Sequence, residues 1–72
     1  MAIRWFAQQR QDFIKEHIQK HSSINRSDIT EKFGVTLTVA SKDLGYFQEQ
    51  NPGSLHYDTR EKIYRKIKKG IK

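Results

Sequence analysis

The fold of this 72-residue chain is decided by residues 24–36, INRSDITEKFGVT, and by residues 37–50, LTVASKDLGYFQEQ, which follow at once. Asn25 is a good helix N-cap, and acidic Asp28 stands three residues after it. Gly34 can take the left-handed conformation that ends a helix, and Thr36 can cap the next helix almost immediately. The stretch therefore predicts two capped helices joined by a short turn, which is typical of a helix-turn-helix.

Periodicity extends this pair into a complete small domain. Phe6, Phe13 and Ile18 belong to an apolar stripe at helical spacing before the pair. Pro52 ends the last helix, and Leu55 then alternates with polar residues as in a strand. The predicted elements are helices at about 3–20, 26–33 and 37–50, a two-stranded wing at about 54–67 and a basic tail at 68–72. We therefore predict a single mainly helical domain, a winged helix-turn-helix of three helices plus a two-stranded wing, with the wing packed on the helices through Leu55, Tyr57 and Tyr64.

Charge and composition narrow the function. The formal net charge is +6, and residues 54–72 alone carry seven basic and two acidic side chains. Such a cluster favours a polyanion, although a merely solubilising tail is the alternative. The chain has no cysteine, no signal peptide and no apolar segment of membrane-spanning length. We therefore expect a cytoplasmic protein with no membrane partner.

Six short motifs carry a resemblance to a known family: INR at 24–26, FGVT at 33–36, ASKDL at 40–44, NPG at 51–53, LHYD at 55–58 and KIY at 62–64. In this order and spacing they resemble the N-terminal winged-helix domain of WYL-domain transcriptional repressors found beside bacterial phage-defence genes, over Trp5–Tyr64. The resemblance implies a dimeric repressor of an inverted-repeat operator. It also implies that the third helix reads bases while the wing touches the DNA backbone.

Members of that family continue into a ligand-sensing WYL domain and a dimerising region, whereas this sequence stops at Lys72. We therefore expect no small-molecule effector domain here. Two alternatives stay open: a self-sufficient small regulator, or a DNA-binding piece that works with a larger partner.

The candidate contacts to double-stranded DNA follow from helical geometry. If Ala40, Leu44 and Phe47 face the core, the opposite and flanking faces of the third helix are free. The predicted base contacts on those faces are Leu37, Thr38, Ser41 and Lys42. The predicted backbone or wing contacts are Arg26, Thr36, Thr59, Arg60, Lys62, Arg65 and Lys66.

Two other residues of the third helix need separate explanations. Asp43 does not suit a groove lined with phosphates, so we expect a structural role such as an ion pair with Arg26. Arg26 could instead bind phosphate. A glycine inside a helix lowers the stability of the helix relative to alanine. A close approach to Gly45 by another helix or by the DNA backbone would explain its presence, and chance tolerance is the alternative.

Trp5 and Phe6 exceed what one small core needs. We expect them to form a homodimer contact through the first helix.

No catalytic or metal chemistry is predicted. His17 and His21 stand four residues apart, but no third ligand is placed near them. The chain has no cysteine nucleophile, no Gly-rich phosphate loop and no clustered carboxylates. We therefore expect no enzyme activity, metal or cofactor. The alternative to DNA binding is a winged-helix docking module for another protein, and RNA binding ranks third because no aromatic platform is evident.

Overall fold

The computed structural model describes residues 2–67, so the predicted basic tail at 68–72 lies outside the described residues. Within this part of the chain, three helices are combined with a small antiparallel sheet, which confirms the predicted winged helix-turn-helix class. The elements are α1 (Ala2–His21), β1 (Ser23–Ile24), α2 (Arg26–Phe33), α3 (Leu37–Gln50), β2 (Leu55–Asp58) and β3 (Ile63–Lys66). The bounds of α2 and α3 are the predicted ones, and α1 is one residue longer at each end.

Local side-chain bonds set the ends of α2 and the start of α3. The side chain of Asn25 accepts from the backbone N–H of Asp28, and Asp28 Oδ2 accepts from the N–H of Asn25, both at 2.9 Å. Gly34 ends α2 in the left-handed conformation at φ 69°. Thr36 Oγ1 accepts from the N–H of Val39 at 3.3 Å. The predicted caps are therefore confirmed. The turn between α2 and α3 consists of the C-cap of one helix followed almost directly by the N-cap of the next.

The predicted two-stranded wing is present as the antiparallel pair of β2 and β3, and a third strand, β1, which was not predicted, extends this sheet. β1 pairs antiparallel with β3, placing Ile24 opposite Tyr64, and β2 pairs with the other edge of β3, placing Tyr57 opposite the same Tyr64. Ser22 makes β1 possible because it ends α1 at φ 64° and turns the chain sharply. A two-residue strand has no alternating pattern, and its partner lies far along the chain, so no local pattern indicates it.

One apolar core joins all three helices and the sheet. Its buried members are Ile14, Ile18, Ile24, Ile29, Ala40, Leu44, Phe47 and Leu55. Phe13, Phe33, Val35 and Tyr64 pack against this cluster and are partly buried. Leu55 and Tyr64 both join it, so the wing is attached to the helices through two of the three predicted residues. Tyr57, the third, is not part of this cluster and contacts the ring of Tyr64 instead, with centroids 4.8 Å apart.

Candidate nucleic-acid interface

Asp43 attaches α3 to α1. Its Oδ2 accepts from Nε of Arg10 at 2.5 Å, and its backbone carbonyl accepts from Nε2 of Gln11 at 2.8 Å. The two charged side chains are only 18% and 10% exposed. Asp43 therefore has the predicted structural role but not the predicted partner. It pairs with Arg10 rather than with Arg26, because it lies on the flank of α3 that faces α1.

The opposite side of α3 is open. The buried apolar residues of this helix are Ala40, Leu44 and Phe47, as predicted. Since a helix turns by about 100° per residue, the residues Thr38, Lys42, Gly45 and Glu49 share one lane opposite that core side. Thr38 and Lys42 are exposed, and Leu37 is 55% exposed at the start of the helix. Three of the four predicted base contacts are thus accessible in the free domain.

Ser41, the fourth predicted base contact, is half-buried and bonded within the domain. Nη1 of Arg26 donates to its Oγ at 3.3 Å. A guanidinium has only donors, so Ser41 keeps its own O–H free to donate to a ligand. The structure therefore brings together two residues that were predicted separately, and it places the cation of Arg26 beside the open side of α3.

Asp58 organises the end of the wing, a role that the sequence analysis missed. Its Oδ1 accepts from the backbone N–H groups of Arg60 and Glu61, and its Oδ2 accepts from Nε of Arg65, each at 3.0 Å. The Glu61 N–H and then the Arg65 guanidinium hold the pKa of Asp58 below its ordinary value. Lys62 closes the turn at φ 59°. The Asp-Thr-Arg-Glu sequence is a signal for this kind of turn and could have indicated it.

Some of the residues of the wing that were predicted to contact the DNA backbone lie close together, and others lie apart. Of the predicted contacts, Thr59, Arg60 and Lys62 are exposed at the tip of the wing, where the acidic Glu61 is exposed as well. Arg65 is also exposed, but its guanidinium is shared with Asp58. Lys66 lies on the other face of β3, where it lines a groove with Lys15 and Phe47. The described cations of the wing therefore form a group at the tip, and Lys66 lies apart from it.

Thr36 is exposed at the start of α3. Its Oγ1 accepts the capping bond from Val39, which leaves its hydroxyl proton free to donate. A phosphate oxygen beside this helix end would meet both that proton and the positive end of the helix dipole.

Trp5 and Phe6 form a surface aromatic pair near the start of α1. They are 58% and 54% exposed, and their rings meet edge to face with centroids 5.0 Å apart. Trp5 lies nine residues before buried Ile14, which places it on the opposite side of α1 from the core. Phe6 also lines a groove with Phe33 and Val35.

The two helix-one histidines contact each other and the backbone. The rings of His17 and His21 lie 4.5 Å apart, and Nδ1 of His17 is 3.0 Å from the carbonyl oxygen of Ser23. Among residues 2–67, no three side chains of metal-binding type gather closely enough to hold an ion. In the same part of the chain, no helix combines the length and apolar character that crossing a membrane requires.

Residues 7–69 match the family described as the BrxR transcriptional regulator winged helix-turn-helix domain. Among curated proteins, the chain is 40% identical over 62 residues to the DNA-binding transcriptional repressor CapW of Stenotrophomonas maltophilia, covering 86% of this chain and 21% of that protein. It is 35% identical over 65 residues to CapW of Escherichia coli, covering 90% and 22%. It is 36% identical over 62 residues to CapW of Pseudomonas aeruginosa, covering 86% and 21%.

The chain thus spans about a fifth of the length of the relatives that it matches. The match nonetheless includes α2, α3 and the wing, and most of α1. The family description and the observed architecture agree on a winged helix-turn-helix. This chain belongs to the family of BrxR transcriptional regulator winged helix-turn-helix domains.

Proposed function

We propose that this domain binds double-stranded DNA sequence-specifically and is the DNA-binding part of a transcriptional repressor. The observation that carries the proposal is the open side of α3, where Leu37, Thr38 and Lys42 are exposed, in a domain whose wing also exposes Arg60 and Lys62. The names of the relatives, which are DNA-binding transcriptional repressors, support it. Such a role places the domain in the cytoplasm of a bacterial cell, where the DNA lies.

In this proposal α3 lies in the major groove. Lys42 can donate to N7 and O6 of guanine, and Leu37 can contact a thymine methyl. Thr38 can donate or accept, whereas the O–H of Ser41 is directed to acceptors because Arg26 already donates to its oxygen. Arg26 itself lies close enough to the open side of α3 to meet a phosphate.

The wing and the caps supply contacts that do not depend on sequence. The proposed phosphate contacts are Arg26, Thr36, Thr59, Arg60, Lys62 and Arg65. Lys66 is left out of this set because it lies on the opposite face of β3 from Arg65. Lys42 is the one basic residue of α3. Most of the salt-dependent affinity must therefore come from cations outside that helix. For each phosphate that they neutralise, the logarithm of the binding constant should fall by about 0.9 per unit of log salt concentration.

The test is selection of bound duplexes from a random pool, followed by gel retardation at several salt concentrations. A consensus sequence that is bound more tightly than scrambled duplex supports a specific regulator. Equal binding to every duplex would refute specificity and leave an architectural role.

The charge of the helix-turn-helix favours a second candidate, a docking module for another protein. Residues 25–53 carry three basic and four acidic side chains, a net charge of −1 that does not attract a polyanion. The same gel experiment separates the two functions, because complete absence of a shift with generic duplex at low salt would favour docking.

We also propose that two copies bind an inverted repeat and contact each other through Trp5 and Phe6. A two-fold contact needs a self-complementary patch, and here an aromatic pair adjoins the groove beside Phe33 and Val35 that a partner's ring could enter. Light scattering should show a dimer on the operator duplex that the double variant Trp5→Ala/Phe6→Ala weakens. Gln19→Ala is the control, since Gln19 is exposed near the other end of α1 from the aromatic pair. An unchanged mass in the double variant would rule out this contact.

A further inference from the structure

Gly45 lies in the middle of α3 with no conformational reason to be glycine. Gly34 and Gly53 have φ values of 69° and 78°, which only glycine adopts easily, whereas Gly45 has no positive φ. A glycine at a helical position destabilises the helix relative to alanine. Unless the glycine is merely tolerated, some other requirement favours it here.

That requirement does not come from packing within the described domain. A Cβ atom at Gly45 would have no neighbour within 4 Å among residues 2–67, apart from the adjoining backbone of its own helix. The space is also not filled by α1 or α2. Of the two physical explanations for this glycine, approach by another helix of the same domain is thus removed.

Gly45 lies instead on the side of α3 that faces away from the core. It shares the open lane of α3 with Thr38, Lys42 and Glu49, three residues after Lys42 and four before Glu49. Gly45 follows Thr38 by two turns, or about 10 Å along the helix axis. If the first turns of α3 face base edges, a residue two turns later lies where the helix passes the wall of the groove, which is sugar and phosphate.

We propose that Gly45 is a positioning residue that lets the DNA backbone approach α3 closely at the wall of the major groove. The inference rests on the proposed DNA binding by α3 and adds a residue with no side chain to its interface. The depth at which Thr38 and Lys42 meet the bases then depends on the absence of a Cβ at Gly45. A side chain at that position holds the helix away from the duplex.

The experiment compares Gly45→Ala and Gly45→Leu with the wild-type chain, measuring thermal unfolding and binding to a generic duplex of mixed sequence at low salt. A generic duplex is the appropriate probe because the contact is to the backbone. Gln9→Ala, at an exposed position on α1, is the control for alanine substitution in a helix. We expect Gly45→Ala to raise the unfolding temperature by up to about 4–8 °C. We expect its binding to weaken by about tenfold, and that of Gly45→Leu to weaken further.

The outcomes are distinct. Binding by Gly45→Ala equal to that of the wild type would overturn the inference and leave a tolerated glycine. A lowered unfolding temperature in Gly45→Ala would also overturn it, because the glycine would then serve the fold. If the wild-type chain binds neither generic nor selected duplex, the proposed function itself fails. Weakened binding by both variants, with a stabilised Gly45→Ala and an unchanged Gln9→Ala, supports the assignment.

Discussion

Replacement of Asp43 by alanine should lower the free energy of unfolding of the domain while leaving its preference for bases unchanged. The carboxylate of Asp43 and the guanidinium of Arg10 are 10% and 18% exposed, so alanine leaves a largely buried cation without its partner. Breaking such a pair costs about 3–5 kcal/mol, and the lower end applies here because Arg10 retains some contact with water. A domain of this length has a total stability of only about 4–11 kcal/mol. A loss of about 3 kcal/mol corresponds to a fall of roughly 12–24 °C in the unfolding temperature.

The assay is urea unfolding followed by circular dichroism, with duplex binding measured at a temperature where both proteins are folded. Asp12→Ala is the matched control, since Asp12 is an exposed carboxylate of α1 whose one side-chain bond within residues 2–67 is to Gln8, and its loss should stay within about 0.5 kcal/mol. A double-mutant cycle with Arg10→Met isolates the pair. The reasoning is refuted if Asp43→Ala costs less than the control, or if base preference changes while stability does not.

Three further outcomes follow from the same contacts. Asn25→Ala removes the side-chain acceptor of the capping box with Asp28 and should lower the free energy of unfolding by about 1 kcal/mol, measured by urea titration. Asp58 has a lowered pKa, so its ordering of the wing is complete above the ordinary aspartate pKa and is lost only as pH falls through the lowered value. An NMR titration of the Arg60 amide should show that midpoint, and a midpoint at the ordinary value would contradict it. Lys42→Gln should relax base preference, whereas Lys62→Gln should weaken binding to all duplexes alike, and the reverse pattern in a selection experiment would exchange their roles.

The parts of the fold that the sequence predicted are those determined by neighbours along the chain. Asn25, Gly34 and Thr36 act through bonds to residues three or four positions away, and the helix bounds follow from them. The same holds for the buried side of α3, which helical spacing alone defines.

The parts that could not be predicted depend on pairings between distant residues. The ion pair of Arg10 with Asp43 joins residues 33 positions apart, and nothing local distinguishes Arg10 from Arg26 as the partner. β1 consists of two residues that become a strand only beside β3. That Arg65 and Lys66 lie on opposite faces follows from strand alternation alone, but which of the two lies on the face of Asp58 depends on the register of the sheet, which so short a strand does not define.

The consecutive residues Ser41, Lys42 and Asp43 show how this fold presents a single cation to a groove. Ser41 and Asp43 are about 200° apart around α3, so they lie on opposite flanks of the helix. Arg26 of α2 bonds one flank and Arg10 of α1 bonds the other. Lys42, between them in sequence, therefore points outward between two anchored neighbours. Apolar packing alone resists rotation of a helix about its axis only weakly, whereas a polar bond on each flank opposes rotation in both directions. The direction in which the backbone of α3 carries Lys42 is thus established in the free domain, and in the proposed complex this would reduce the entropy lost by the helix on binding.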